Sequence, residues 1–438
     1  MVYFLIVVLI VELEIIYFFN GKKIFSCSFV SCLMFLFSTI IYAAYKNSYY
    51  GKDLQSNIIF VVPYLIIFIL IGELLARKFN FNIPQYERKS EIRNSQKIDG
   101  IYFFKPYLIF VLSVFTLISG ILYFWDVYKF SLLVGNVSGN FFTMAEYVRH
   151  ASNYGTGKLL YSPSTLVSQL NICSECIVYM CIYIFVNNWF GFGEKKKSIL
   201  FPCIGYIFYI LACDSRSNLI KNITVIAIII FGCLEEKNYN ARKINRKIMK
   251  IGIIAVILFF IMFRVLGYRT GTSSNYNWDT NIAKYVSSGI YGLDEYLIKG
   301  DTPNHLFGES TFRLIYLKLN DFGASFKVME ANDTFFSYAK GESNIYTGLK
   351  GIINDFSVIG AGFFLLFWSF FCTKVVKRIK NNNYSLYNCI LAGLLFYPIV
   401  MISISVEWRN VLSIPTLYTL LYTYILNYFI VRKMRGNK

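Results

Sequence analysis

Arginine is the residue type in this sequence whose placement most strongly suggests chemistry. Five arginines stand in the polar stretches that we predict to lie on the outer face: Arg149, Arg216, Arg269, Arg313 and Arg409. A guanidinium group binds a diphosphate through paired hydrogen bonds and keeps its charge when water is partly excluded. Several of them converging would hold a diphosphate and stabilise it as it leaves. Alternatively, arginines at the ends of membrane helices anchor to headgroups or pair with acids such as Asp214 and Glu407, and this reading stays open.

Two kinds of side chain in the polar stretches could accept a proton from a hydroxyl group. His150 and His305 are the two histidines of the chain, and a histidine is suited to general-base catalysis near neutral pH, although a lone loop histidine is more often incidental. Carboxylates are further possible bases, and we expect most of them to be solvated: Asp294, Glu295, Asp301, Glu309 and Asp333.

The sequence lacks the motifs of several other classes of site. It contains no phosphate-binding glycine loop of the P-loop or dinucleotide type, so a reaction at its outer face needs an already activated substrate. The pair Cys173 and Cys176 has CxxC spacing, but it stands in an apolar run, where buried small side chains are more common than a metal or redox site. We therefore predict no metal and no cofactor.

The elements that must position these residues are membrane-spanning helices. The chain is 56% hydrophobic and only 16% charged, which is too apolar for a soluble protein of 438 residues. The net charge of +18 does not indicate nucleic-acid binding, because the basic residues lie between apolar runs. The sequence predicts an all-α, polytopic membrane protein of about eleven spans. They are 2–19, 24–45, 57–76, 106–125, 164–188, 198–213, 218–234, 249–266, 352–372, 386–405 and 411–430.

Charge predicts the orientation of these spans. One alternating set of connections holds 26 Lys and Arg in about 78 residues, and the other holds 16 in about 146. The denser set should be cytoplasmic, which places the N-terminus outside and the C-terminus inside. We treat residues 1–438 as one membrane domain with a large external loop, 267–350, between the eighth and ninth spans. The periodicity of 282–298 and 311–319 predicts helices on the membrane surface, over a central cavity.

Two further features of the sequence leave alternatives open. Aromatic residues crowd the external stretches, where rings either stack on sugars or form interfacial belts. The predicted spans contain the acids Glu12, Glu14, Glu73 and Glu175. We expect Glu73 to reach the cytoplasmic interface. Glu12 and Glu175 lie near mid-membrane, which favours an ion-coupled transporter, but only weakly, because we expect no basic partner at similar depth.

The segment that follows the large loop carries a family-like pattern. Residues 344–348 read NIYTG and residues 354–362 read NDFSVIGAG. This resembles the N-x-Y-T … D-F-G-x-x-G pattern of the Wzy-type polymerases of O-antigen and capsule repeat units. Ser357 stands where that family usually has glycine. The sequence Ser215-Arg216-Ser217 resembles the family's short S-R-[ST/G] element, and the layout of spans around one large loop is similar too.

The resemblance implies an enzyme of the bacterial cytoplasmic (inner) membrane. It would transfer a growing glycan from undecaprenyl diphosphate to the next undecaprenyl-diphosphate-linked oligosaccharide, without metal or nucleotide sugar. The partners implied are membrane lipids, a flippase and a chain-length regulator. We predict three catalytic residues, of which the resemblance carries over only the first: Arg216, Arg409 and His305. We predict five substrate-binding residues: Arg149, Arg269, Arg313, Tyr346 and Asp355.

Three other functions compete with this one. A flippase of lipid-linked oligosaccharides is disfavoured by the large loop, since flippases usually have short loops of even size. An O-antigen ligase shares the layout. A metal-dependent lipid-phosphosugar transferase is disfavoured because the loop 46–56 offers only Asp53 where paired acids are expected.

Overall fold

The protein is built almost entirely of helices. The computed structural model describes all residues except 80–100, 103, 134–143, 146–147, 149–150, 152–162, 214–215, 238, 268–277, 301–305, 329–334, 381–383 and 432–438. The described helices of the amino-terminal half are α1 (Val2–Phe19), α2 (Cys27–Tyr45), α3 (Ser56–Lys78), α4 (Pro106–Leu133), α5 (Thr165–Phe192), α6 (Phe201–Cys213) and α7 (Arg216–Glu236). Those that follow are α8 (Ala241–Gly267), α9 (Trp278–Lys299), α10 (Glu309–Asp321), α11 (Gly348–Lys380), α12 (Leu386–Val400), α13 (Trp408–Val411) and α14 (Ile414–Leu426).

Eight helices in the described part of the chain are long and apolar enough to cross a bilayer. A helix satisfies its own backbone hydrogen bonds, so apolar runs of this length take that form where no water is available. The predicted spans 198–213 and 386–405 correspond to the shorter apolar helices Lys197–Leu211 and Leu386–Val400. The span predicted at 249–266 lies within α8, which is not among the eight. The protein is thus a multi-pass membrane protein, and the count of eleven stays a prediction.

The exposed side chains of α11 agree with a lipid environment. Phe363, Phe367 and Phe371 follow one another at intervals of four residues and are each more than half exposed. Residues four apart lie on one face of a helix, so these rings form a continuous apolar stripe. Such a stripe would be costly in water, but it is the ordinary surface of a helix that faces lipid tails.

The chain forms two compact units. Unit 1 contains Met1–Ile83, Tyr276–Val375 and Leu394–Thr416, and unit 2 contains Pro84–Asn275, Val376–Gly393 and Leu417–Lys438. In unit 2, α4 packs tightly against α6 through small residues: a Cβ atom on Gly205 would lie 2.6 Å from the backbone nitrogen of Leu117, and one on Gly120 would lie 2.9 Å from the carbonyl oxygen of Gly205. Close backbone approach at small residues is the usual packing mode of membrane helices.

In unit 1, α9 is the element that departs most from its prediction. The helix predicted at 282–298 is present, but its residues from Val286 to Glu295 are all buried, so it does not lie on a surface. It packs against α2 and α3. The hydroxyl of Ser38 donates to the carbonyl of Val286 at 2.8 Å, and a Cβ atom on Gly289 would lie 2.5 Å from the carbonyl oxygen of Ser403. Small residues on α9 therefore let it enter the core.

The described part of the loop 267–350 also contains strands, which the sequence did not predict. An antiparallel hairpin pairs β1 (Phe336–Tyr338) with β2 (Gly341–Ser343). Its rings, Phe336 and Tyr338, pack with Tyr291 of α9 and with Tyr50, at centroid distances of 5.2 to 6.3 Å. These mid-loop aromatic residues are thus neither a lipid belt nor an open sugar platform, because they form a buried aromatic core.

Candidate functional site

Four of the eight predicted site residues lie in the described part of unit 1. These four are Arg313, Arg409, Tyr346 and Asp355. Three others lie outside the described residues: Arg149, Arg269 and His305. Arg216 is the first residue of α7, in unit 2, and its side chain is also outside the described part. The site can therefore be built only around the four residues of unit 1.

Three elements bring three of these residues, Arg313, Asp355 and Arg409, into one region, which we name the junction. Helix α10, which carries Arg313, packs against α13, which carries Arg409. The start of α11 meets both, because a Cβ atom on Gly351 would lie 3.0 Å from Val406 Cγ1 and 3.4 Å from Ser310 Cβ. The junction thus consists of the first turns of α10 and α11 together with residues 406–411.

Asp355 fastens α10 to α11. Its carboxylate accepts hydrogen bonds from the backbone nitrogens of Ser310 and Thr311 at 2.9 and 2.8 Å, and from the Thr311 hydroxyl at 2.6 Å. The first turn of a helix has unpaired N–H groups and a partial positive charge, so a carboxylate there is stabilising. We predicted that Asp355 binds substrate. The structure gives it a positioning role, and its contact with substrate stays a prediction.

The next residues of the same pattern have unusual backbone geometry. Ser357 interrupts α11 with φ 63° and ψ 174°, a conformation that is accessible almost only to glycine. A Cβ atom on Gly360 would lie 2.8 Å from Phe356 Cβ, closer than real contacts allow. The structure thus gives a physical reason for glycine at both positions of the pattern, 357 and 360. Ser357 is strained because it has a side chain in a conformation suited to glycine.

Arg409 remains available for a ligand. The structure contradicts the alternative that it pairs with Glu407, because that carboxylate accepts from the Ser405 hydroxyl and from Asn410 Nδ2, each at 2.6 Å. Within the described residues, Arg409 has neither a hydrogen bond nor an ion pair, and its side chain is half-buried. Trp408 fixes the turn, since its indole N–H donates to the carbonyl of Gly348 at 3.1 Å.

Tyr346 and Lys350 form a buried cation–π pair next to the junction. The ammonium group of Lys350 lies 3.8 Å from the ring centroid of Tyr346 and 5.9 Å from that of Tyr296. Phe336 packs edge-on against the ring of Tyr346, with 5.0 Å between centroids. We predicted that Tyr346 binds substrate, and this stays a prediction. In the structure its ring is 7% exposed, and Lys350 covers one face.

A pair of carboxylates in α9 forms a second polar cluster in unit 1. Both oxygens of Asp294 accept from the backbone nitrogen of Gln55, at 3.2 and 3.0 Å. Glu295 accepts from the Tyr291 hydroxyl at 3.1 Å and pairs with Lys299 at 2.5 Å. We expected most loop acids to be solvated, and this was wrong for Asp294, Glu295 and Glu309, which are 3%, 7% and 2% exposed. Asp301 and Asp333 lie outside the described residues.

The pKa values of these two neighbouring carboxylates are shifted in opposite directions. Burial raises the pKa of Asp294 to about 6, against the opposing effect of the Gln55 N–H. Burial also acts to raise the pKa of Glu295, but hydrogen bonds from Lys299 and Tyr291 outweigh it and lower that pKa. A neighbouring acid pair with opposite shifts is typical of acid–base sites, and a carboxyl group with a pKa near 6 is a better base at neutral pH than an ordinary aspartate. Asp294 is therefore a possible base alongside His305.

Glu73 does not reach the interface, contrary to our expectation. It is 1% exposed, and its carboxylate accepts from Cys27 N at 2.5 Å, from Asn20 Nδ2 at 3.3 Å and from the hydroxyl of Ser28. It thus caps the start of α2 and ties α1, α2 and α3 together. Sequence spacing did not reveal this role because the donors are 45 or more residues away.

Glu175 has a basic partner, which the sequence analysis did not anticipate. In unit 2, Lys221 of α7 lies 2.7 Å from Glu175 of α5. The hydroxyl of Tyr179 lies 2.6 Å from the same carboxylate oxygen. For Glu12, by contrast, no hydrogen-bond partner is present among the described residues.

The cysteines do not form cross-links. All ten are free thiols. Cys176 is buried, and its thiol donates to the carbonyl of Thr419 at 3.4 Å, which agrees with its prediction as a small packed side chain. The described residues contain no group of three or more His, Cys, Asp and Glu arranged to hold a metal ion.

Comparisons with known proteins do not assign a family. No family model matches the chain, and neither the curated proteins nor the solved structures contain a similar chain.

Proposed function

We propose that this chain is a membrane polymerase of lipid-linked oligosaccharide repeat units. It would act at the outer face of a bacterial cytoplasmic membrane, with its N-terminus outside and its C-terminus in the cytoplasm. Its substrates are undecaprenyl-diphosphate-linked oligosaccharides, and its products are O-antigen or capsular chains. A flippase would supply the substrate, and a chain-length regulator would set the length of the product.

The junction is the observation that carries this proposal. The pattern that resembles the polymerase family, residues 344–362, meets two elements that bear predicted arginines, Arg313 and Arg409. Within the pattern, Asp355 caps α10, and the backbone at Ser357 has the conformation that a glycine favours. Such agreement between local geometry and the residue types of the pattern supports the resemblance.

The proposed reaction requires binding, charge stabilisation and proton transfer. In unit 1, Arg409 would bind the diphosphate of the donor, and Arg216 of unit 2 stays a predicted catalytic residue. A base, His305 or Asp294, accepts the proton of the acceptor hydroxyl as its oxygen attacks the anomeric carbon of the donor. The bond between that carbon and the diphosphate oxygen breaks, and the diphosphate leaves with the electron pair. Guanidinium groups stabilise the charge that develops on the leaving group. The reaction inverts the anomeric centre.

Substitution of Arg409 tests the proposal. Arg409→Ala should abolish long surface polysaccharide while single-unit glycan persists on gels, and Arg409→Lys should retain only part of the polymer because lysine lacks the paired donors. Arg378→Ala, in the last turn of α11, is a matched control and should leave the ladder unchanged. A normal ladder from well-expressed Arg409→Ala protein would overturn the assignment.

A flippase is the second candidate, because the Glu175–Lys221 ion pair lies within candidate membrane spans. Ionisable residues at such depth often mark ion or substrate pathways. The two functions predict different deletion phenotypes: loss of a flippase removes surface glycan entirely, whereas loss of a polymerase leaves one-unit material.

A further inference from the structure

Unit 2 contains a polar cluster that the junction does not use. It consists of Asn171, Ser174, Glu175 and Tyr179 on α5 together with Lys221 and Asn222 on α7. Ser174, Glu175 and Tyr179 follow Asn171 by three, four and eight positions, so these α5 residues share one face of that helix. Five of the six are at least 92% buried, and Lys221 is 22% exposed. The cluster lies within two candidate membrane spans, where polar side chains are costly.

Two buried side chains of the cluster have hydrogen-bond donors without partners among the described residues. Asn171 Oδ1 accepts from Ser119, but its Nδ2 has no partner among the described residues. In the same part of the chain, the Ser174 hydroxyl also lacks a partner, whereas the Asn222 amide contacts the Tyr179 hydroxyl. An unsatisfied buried donor costs about 1–3 kcal/mol, so a ligand with oxygen acceptors would be stabilised beside these donors.

Lys221 is placed to change partners. Its ammonium group has three donors, and the structure shows one ion-pair contact, with Glu175. Helical side chains lean toward the N-terminus, so Lys221 can move toward the start of α7 without a backbone change. That end of the helix carries a partial positive charge and Arg216, about 7.5 Å away along the axis. If Lys221 leaves, Glu175 keeps its contact with the Tyr179 hydroxyl.

We propose that this cluster is an oxyanion site that binds the diphosphate end of a polyprenyl-linked substrate, with Glu175 as a competing counter-ion. In the structure Lys221 pairs with Glu175. When the diphosphate binds, Lys221 and the unpaired donors of Asn171 and Ser174 contact its oxygens. The identity of the lipid rests on the proposed function, whereas the oxyanion chemistry rests on the donors alone.

Binding to the purified protein in phosphatidylcholine nanodiscs tests this inference. Glu175→Gln removes the competitor and should tighten undecaprenyl diphosphate binding about tenfold, while Lys221→Gln should weaken it by at least about tenfold. A purely structural ion pair predicts the opposite for Glu175→Gln, which would then weaken binding or leave it unchanged. The double variant Glu175→Gln/Lys221→Gln has no unpaired charge, so it should fold and bind as weakly as Lys221→Gln.

Matched controls separate the alternatives. Lys237→Gln, just beyond the other end of α7, should not change the affinity. Inorganic pyrophosphate should compete with the lipid, and undecaprenol, which has no phosphate, should not bind. Equal affinities of wild type, Glu175→Gln and the double variant, or equal binding of undecaprenol, would overturn the inference. If binding follows the predicted order but the wild type makes no polymer, the proposed function fails and the oxyanion site stands.

Discussion

At Ser357 the residue type and the backbone conformation conflict. A serine with φ 63° and ψ 174° stores strain that a glycine would not, on the order of 1–3 kcal/mol. The sequence alone marked this position, because the pattern it resembles has glycine there. What the sequence did not supply was the reason, which is the break in α11 two residues after Asp355, the residue that caps α10.

Ser357→Gly should therefore stabilise the protein. We expect a gain of about 1 kcal/mol, since relief of strain exceeds the entropy that glycine adds to the unfolded chain. Thermal unfolding in detergent measures the change. Ser369→Gly in the helical part of α11 is the matched control and should destabilise by about the same amount. A loss of stability in Ser357→Gly would show that the residue is not strained.

Asp294 should make stability depend on pH. Its folded-state pKa is raised to about 6 from an ordinary value of 3.8, so the folded protein binds the proton more tightly than the unfolded chain. The stabilisation is complete below about pH 4 and is lost as pH rises toward 6, by up to about 3 kcal/mol. Asp294→Asn should flatten this slope and raise stability at pH 7, as measured by thermal unfolding at pH 4.5, 6 and 7.5.

The control for this effect is Asp321→Asn, which changes an exposed carboxylate of α10 that pairs with Lys318. It should leave the slope between pH 4 and 6 intact. An unchanged slope in Asp294→Asn would contradict the raised pKa.

At the scale of elements, hydropathy predicted helices well but predicted their burial poorly. The helices of the loop, α9 and α10, were both anticipated from periodicity. The burial of α9 was not, because it depends on Gly289 and Gly292 meeting the backbone of residues 403 and 345 at close range. Contacts between such distant segments leave no local periodicity. The ion pair between Glu175 and Lys221 escaped prediction for the same reason.

The cap on α10 gives a prediction at this scale. Asp355→Ala removes three hydrogen bonds to the first turn of α10 and should destabilise by about 1–3 kcal/mol. Asp355→Asn keeps one acceptor oxygen and should cost less. Limited proteolysis of the membrane-embedded protein measures this effect. Cleavage within 306–328 should be fastest in Asp355→Ala, slower in Asp355→Asn and slowest in the wild type. Equal cleavage rates would show that the carboxylate does not hold α10.

For the whole molecule, composition predicted the class because no soluble fold can bury so many apolar residues. The number of spans was harder, since two predicted spans correspond to apolar helices of fewer than 18 residues. The candidate site was predictable in part: the pattern at 344–362 and Arg409 lie at one junction. The sequence could not decide whether Arg409 pairs with Glu407, and the structure answers this because Glu407 is bonded to Ser405 and Asn410.

The most direct test of the polymerase proposal is a reconstituted reaction. Lipid-linked repeat units extracted from a strain lacking this chain should be converted by the purified protein, in liposomes, into a ladder of longer lipid-linked glycans. The reaction should need neither nucleotide sugar nor added metal, and Arg409→Ala protein should leave single units. Single units that remain single with wild-type protein, or that merely change leaflet, would contradict the account.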